Sequence, residues 1–388
     1  MKRAKIVLLL VCLCAAVTWA AGTQEGAAAK GDKITIGITI WGSSHPWATQ
    51  ALNLANYIAD VLDFKISVAY HNVRPEDEIK NMENYVSMNV NGVISWSPSG
   101  TVMPKCAQIL GNAGIYFGTY DQEAPQEVKD TLYKNKYYIG HMGADNNTPG
   151  NASADLLIAA GRKNAVVLTA EHGTVHQVRT EAFQKRFTEK GGQVKAVQWD
   201  LYTAEESAKA LESLIAANPN VDGVFGTGGP YTMGAMEAVK RLNLVGKVAV
   251  TGTDFSDSLL NYIKEGKVLA VSGGHELSCG LELIRMYNTV TGHPIGKNSD
   301  EVLVKMFQIK SGADADAYKS WFMDRPMLTE SQIKSLVWKY NNKVTIESFR
   351  ELASNVSIQA VANAREQDKQ KGTKLPPLFA DLGIDFSK

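Results

Sequence analysis

The chain has 388 residues, with 40 basic and 40 acidic side chains and 45% hydrophobic residues. Such a length can build two domains around large cores. The balanced charge lacks the basic surplus that phosphate backbones require, which excludes nucleic acid as a partner, and no apolar run after residue 20 reaches the roughly 18 residues of a membrane span.

The first twenty residues read as an export signal. Lys2, Arg3 and Lys5 precede the apolar run 6–17, and Thr18, Trp19 and Ala20 follow it. This is a basic region, a short apolar region and a small residue at the expected cut. The apolar run is too short for a stable membrane anchor. Cleavage near Ala20 or Ala21 removes three basic residues and leaves a net charge of −3. Lipid anchoring through Cys12 or Cys14 is the alternative, disfavoured because bulky Val11 and Leu13 precede those cysteines. The expected location is therefore the periplasm. Residues 21–32 are small and polar without periodicity and read as a flexible leader.

From residue 33 onward, strand and helix patterns alternate. Residues 33–40 are a β-branched run bounded by Gly31-Asp32 and by Trp41-Gly42-Ser43-Ser44, the pattern of a buried strand. Residues 47–62 carry helical spacing at Ala51, Leu54, Ala55, Ile58 and Leu62. Strands follow at 65–70, 92–96 and 115–119, with helices from Pro75 and over 101–112 between them. A second set has strands at 165–169, 193–198, 221–225, 248–251 and 268–272. Its helices fall near 176–190, 204–217, 231–242 and 256–265, and Thr203 and Glu206 fit a capping box. This regular alternation predicts an α/β fold with parallel sheets and right-handed crossovers. Cys106 and Cys279 each fall in a helical pattern and read as buried thiols, with a single disulfide between them the alternative; two cysteines make neither a disulfide framework nor a zinc site.

In open parallel sheets, ligands bind beyond the carboxyl ends of the strands. The residues there are Trp41, Ser44, His45 and Trp47 after the first strand, Trp96 after the third, and Asp121 and Gln122 after the fourth. The second set contributes Arg179, Tyr202, Gly228, Tyr231, Asp254 and His275. Aromatic faces stack on the apolar C–H face of a sugar, and carboxylate and guanidinium groups bond strongly to its hydroxyls. His141, His172 and His176 read as structural or exposed. Gly226-Thr-Gly-Gly-Pro-Tyr231 lacks the third glycine of a dinucleotide-binding turn, so no cofactor is expected. The chain carries no HExxH, GxSxG, P-loop or CxxC motif, and no enzyme activity is expected.

At these strand ends the chain resembles the periplasmic sugar-binding proteins of ABC importers, type 1 periplasmic binding proteins of the ribose- and galactose-binding kind. The resemblance covers roughly residues 33–309. It is carried by Ser43-Ser-His-Pro-Trp47, Tyr120-Asp-Gln122, Gly173-Thr174 with Arg179-Thr-Glu-Ala-Phe183, the run from Phe225 to Gly234, and Thr253-Asp254. Gln122 stands where the family has an arginine, and Gly228 where an asparagine is usual. The resemblance implies two Rossmann-like lobes joined by a three-strand hinge, with crossings near 138–142, 273–276 and 303–307. The expected division is a first lobe of 33–139 plus 276–303, a second of 140–275 plus 304–345, and a helical C-terminal extension of 346–388. It also implies a monomer that captures a sugar or polyol in the cleft and delivers it to the membrane permease of an ABC importer. A binder of another small solute (a furanosyl signal molecule, nucleoside or amino-acid derivative) or a ligand-presenting sensor subunit are the competing readings.

Overall fold

Ile36, Ile38 and Ile40 point to one face of the first strand and are wholly buried, while Gly37 on the other face lies under the Tyr85 ring. A strand covered on both sides needs neighbours on both edges, and it has them. The computed structural model describes residues 33–42 and 46–383. The expected signal and leader, and Ser44 and His45, lie outside these residues.

The strands in chain order are β1 (Thr35–Ile40), β2 (Lys65–Tyr70), β3 (Gly92–Ser95), β4 (Tyr116–Asp121), β5 (Tyr138–Ala144), β6 (Asn164–Leu168), β7 (Gln193–Gln198), β8 (Gly223–Gly226), β9 (Ala249–Thr253), β10 (Ala270–Gly273), β11 (Glu301–Val304) and β12 (Phe307–Ile309). They form two six-stranded sheets with matching orders, β2-β1-β3-β4-β5-β11 and β7-β6-β8-β9-β10-β12. Every pairing is parallel except that of β10 with β12. Each sheet is thus a doubly wound lobe, in which the reversal of strand order opens a crevice at the carboxyl ends. No helix among the described residues is long and apolar enough to cross a membrane.

The chain passes between sheets after Ala144, after Gly273 and after Val304. The first passage lies later than the expected 138–142, because residues 138–144 are a complete strand. Its signal is broken by Gly140 and Gly143, where a Cβ would collide with the Arg285 guanidinium and the His141 ring. The helix Asn147–Ala159 also escapes the sequence pattern. Its Gly150 lies so close to the helix Val175–Glu189 that a Cβ would collide with the Arg179 carbonyl. Cys106 and Cys279 are buried free thiols.

The C-terminal region corrects the expected division more strongly. The helix Gly312–Tyr318 packs on Asp257–Lys264 of the second lobe. The next helix, Glu330–Ser335, packs on Pro46–Leu62 of the first, and Ile346–Asn355 packs on β11 of the same lobe. Ile358–Gln370 then returns to Gly312–Tyr318. Residues 330–345 therefore belong against the first lobe. Asn288 ties them there, donating to the Leu336 carbonyl at 2.9 Å and accepting from the Trp338 amide at 2.8 Å. Beside the hinge, the Tyr318 hydroxyl of the second lobe meets Gln50 Oε1 of the first at 2.5 Å and Glu276 Oε1 at 2.8 Å.

Several carboxyls are shut into these cores. Burial pushes Glu78 and Glu276 up to about 7 and Glu282 up to about 8. Glu78 Oε1 accepts from the Thr39 and Ser95 hydroxyls, while neither oxygen of Glu282 has a hydrogen-bond partner among the described residues. Each group holds its proton more tightly folded than unfolded. Its stabilising contribution is complete below the ordinary carboxyl value and is lost as pH rises through the folded value. Thermal unfolding should therefore show a midpoint that falls as pH is raised from about 5 to about 8. Glu282→Gln, which fixes the neutral form, should flatten that fall; an unchanged slope would rule out Glu282 as a contributor.

Candidate ligand-binding cleft

The crevices of the two sheets face each other. From the first lobe, Trp41 follows β1, Trp47 opens the helix Pro46–Leu62, Trp96 follows β3 and Asp121 ends β4. From the second lobe come Val175, His176 and Arg179 on the helix after β6, Gly228, Pro230 and Tyr231 after β8, Asp254 after β9, and His275 after β10. All twelve line one cavity of about 30 Å³ between the lobes. That is room for a single water-sized group, so a sugar ring is admitted only when the lobes part.

Asp121 and Asp254 occupy corresponding strand ends, and both are left-handed, with φ of 59° and 67°. Aspartate tolerates this region better than most residues. Each carboxylate meets groups that follow neighbouring strands. Asp121 Oδ2 accepts from Trp96 Nε1 at 3.0 Å. Trp96 is itself the centre of a ring stack, with Trp41 at 6.2 Å and His71 at 5.7 Å. His71 is held by the Trp96 carbonyl at 2.8 Å, and burial pulls its ring down to about 4, so it stays neutral. Asp254 Oδ2 accepts from the Gly229 amide at 2.9 Å, and its Oδ1 lies 3.4 Å from His275 Nε2. The His275 ring stacks on Trp47 at 5.3 Å, joining the two lobes across the cavity.

Arg179 is fixed by Asn146 Oδ1 and the Thr227 carbonyl, both at 2.9 Å. Its Nη2 has no hydrogen-bond partner among the described residues, and the same holds for Asp121 Oδ1 and Trp47 Nε1. The cavity residues thus bring one carboxylate oxygen and two N–H donors that are buried and unmatched among the described residues. Such atoms each cost about 1–3 kcal/mol when left unpaired. Hydroxyl groups, which donate and accept at once, match that mixture.

Nine of the residues expected from sequence meet in the cavity: Trp41, Trp47, Trp96, Asp121, Arg179, Gly228, Tyr231, Asp254 and His275. Gln122 does not. It is buried, and its Oε1 accepts from the Val175 amide at 3.4 Å, a strut between lobes rather than a cavity wall. Tyr202 also lies apart, on an exposed loop beside a second space. Gly228 fits its place because a Cβ would press on the Tyr231 and His176 rings, at 3.0 and 3.1 Å. His176, read from sequence as structural or exposed, is a cavity residue, with Nδ1 3.1 Å from Thr227 Oγ1. Its position three residues before Arg179 on one helix face was the available signal. His141 is structural, bonded to Thr119 and held neutral by burial, which pulls it down to about 4. His172 stacks on Trp199 away from the cavity. Among the described residues, no group of three or more His, Cys, Asp or Glu could hold a metal ion.

The family model described as a periplasmic binding protein domain matches residues 36–287. The chain belongs to this family. Members are solute-binding proteins outside the cytoplasm, which places this chain in the extracytoplasmic space. It is 26% identical over 192 residues to the ABC transporter periplasmic-binding protein YphF of Escherichia coli, covering 48% of this chain and 58% of that one. It is 24% identical over 273 residues to the ribose import binding protein RbsB of Haemophilus influenzae, covering 70% and 87%. Among solved structures, a solute-binding protein of Actinobacillus succinogenes with bound D-allose superposes with a TM-score of 0.67 at 20% identity, over 74% of this chain and all of that one. One from Bacillus halodurans with bound myo-inositol reaches 0.65 at 16% identity, over 75% and 99%. These superpositions establish the two-lobed fold, and about a quarter of this chain lies outside them.

The left-handed turn at Asp121 yields a stability test. Asp121→Asn keeps both the tolerated backbone and an acceptor for Trp96, and should unfold within a few degrees of the parent. Asp121→Val adds strain of about 1–3 kcal/mol and leaves the indole N–H unpaired, and should unfold clearly earlier. Equal midpoints for the two variants would refute the turn's role.

Proposed function

We propose that this protein captures a sugar or polyol in the interlobe cleft and delivers it, as a monomer, to the membrane permease of an ABC importer. The observation that carries the reading is the set of unmatched buried polar atoms, Asp121 Oδ1, Arg179 Nη2 and Trp47 Nε1, beside the aromatic faces of Trp41 and Trp47. Stacking on the C–H face of a sugar and charge-assisted bonds to its hydroxyls use that set fully. RbsB supports the importer context, as a ribose import protein. The bound allose and inositol of the two structures are polyhydroxylated rings, the ligand class this set of donors and acceptors suits. Capture works by hinge closure: the ligand bonds to both lobes and so favours the closed form. The role is binding rather than catalysis. In the full reading the chain is exported to the periplasm by cleavage near Ala20 or Ala21, with lipid anchoring through Cys12 or Cys14 the disfavoured alternative.

Thermal shift and calorimetric titration with a panel of aldoses, ketoses and polyols should find a stabilising ligand. Asp121→Asn and Asp254→Asn should each weaken it about 10- to 100-fold, the scale of a charge-assisted hydrogen bond at roughly 1.5–3 kcal/mol. Stabilisation by nucleosides or amino acids alone would keep the capture role and overturn the sugar chemistry.

A further inference from the structure

A second chamber adjoins the cleft. Its volume is about 310 Å³, ten times that of the cleft itself. Asp254 and Pro230 line both spaces, so they form the partition between them. On the first-lobe side the chamber touches Pro46, next to the Trp47 that lines the cleft. Its remaining surface is largely apolar, from Tyr202, Met233 and Phe255. Tyr202 is 47% exposed, a large aromatic side chain standing open beside the ligand cleft.

Several polar groups at the chamber wall already have contacts within the protein. Thr203 Oγ1 accepts from the Glu206 amide, capping the helix Ala204–Ala217. Ser256 Oγ accepts from the Leu259 amide, capping Asp257–Lys264. Glu237 lies 3.8 Å from the Arg241 guanidinium. A second polyhydroxylated ring would find few free partners there and would lose its hydration. A flat or branched apolar group would instead gain contact with the tyrosine, methionine and phenylalanine.

We propose that the natural ligand is a glycoside in two parts: a sugar ring held in the cleft and an apolar aglycone, aromatic or branched, seated in the chamber past Asp254. This rests on the sugar reading above and narrows its substrate class. Asp254 then reads the junction, where the ring ends and the substituent begins.

The test is calorimetric titration of the full mature protein with matched sets: each free sugar, its methyl glycoside and its phenyl glycoside, in both anomers. One anomer of one phenyl glycoside should bind at least about tenfold tighter than the corresponding methyl glycoside, a gain of about 1.4 kcal/mol. Met233→Trp fills the chamber without touching the cleft. It should abolish that gain and leave the methyl glycoside within about twofold, and Ala204→Phe serves the same purpose should the first variant fail to fold. Phenyl glycosides that bind no tighter than methyl glycosides would overturn the inference, as would a gain that survives both chamber-filling variants. Free sugars that bind while all glycosides are refused would overturn it and leave the sugar reading standing. Failure of every sugar and glycoside would overturn both.

Discussion

Burying a polar atom without a partner is what closing these lobes demands, and the rest of the site follows from it. The first lobe brings Asp121 and Trp47 to the interface, and the second brings Arg179. Each arrives with one hydrogen-bonding atom that has no partner among the described residues. Water solvates these atoms while the lobes are apart. Once the lobes meet, only a guest with its own donors and acceptors can replace that water. In the proposed reading, ligand chemistry sets the hinge equilibrium by giving these atoms the partners they lack among the described residues.

For such a device the unmatched atoms must stay where they are. Arg179 is clamped by Asn146 and Thr227, and Asp121 by Trp96 and a left-handed turn. Asp254 is held by Gly229. These supports sit on strand ends and helix starts, the most rigid parts of a doubly wound lobe, so little order has to be created when ligand arrives. Bracing extends past the family's own boundaries. The C-terminal helices alternate between lobes, and Tyr318 reaches across the hinge to Gln50. Hinge motion in this molecule has to carry that extra layer with it.

The sheets were legible because β-branched runs such as 33–40 and 65–70 alternate with helices of clear period. The strand ends were legible because aromatic and charged residues are unexpected just after buried runs. What escaped was tied to close approach. Gly140 and Gly143 break the pattern of β5 to make room for Arg285 and His141, and Gly150 hides a helix where two backbones nearly touch. His176 escaped because one histidine on a polar helix carries no signal until Arg179 shows which face matters. Tyr202 and Gln122 were expected in the cleft because each follows a strand, but Tyr202 lines the neighbouring space and Gln122 bonds to the Val175 amide. A single residue's shift along a loop is enough to turn a side chain from the cavity to its neighbour. The C-terminal region was misassigned because its partner, Asn288, lies some fifty residues earlier, a contact no local pattern encodes.

The interleaved connectivity also governs when this protein can fold. The first sheet receives its last strand at Glu301–Val304, and the helix that covers it is Ile346–Asn355. The second lobe is in turn braced by Ile358–Gln370. A chain made from its N-terminus can therefore finish neither lobe until nearly all of it exists. Contacts of such long sequence separation form slowly. The cleft, built from both lobes, can therefore form only after the C-terminal helices have been made and packed.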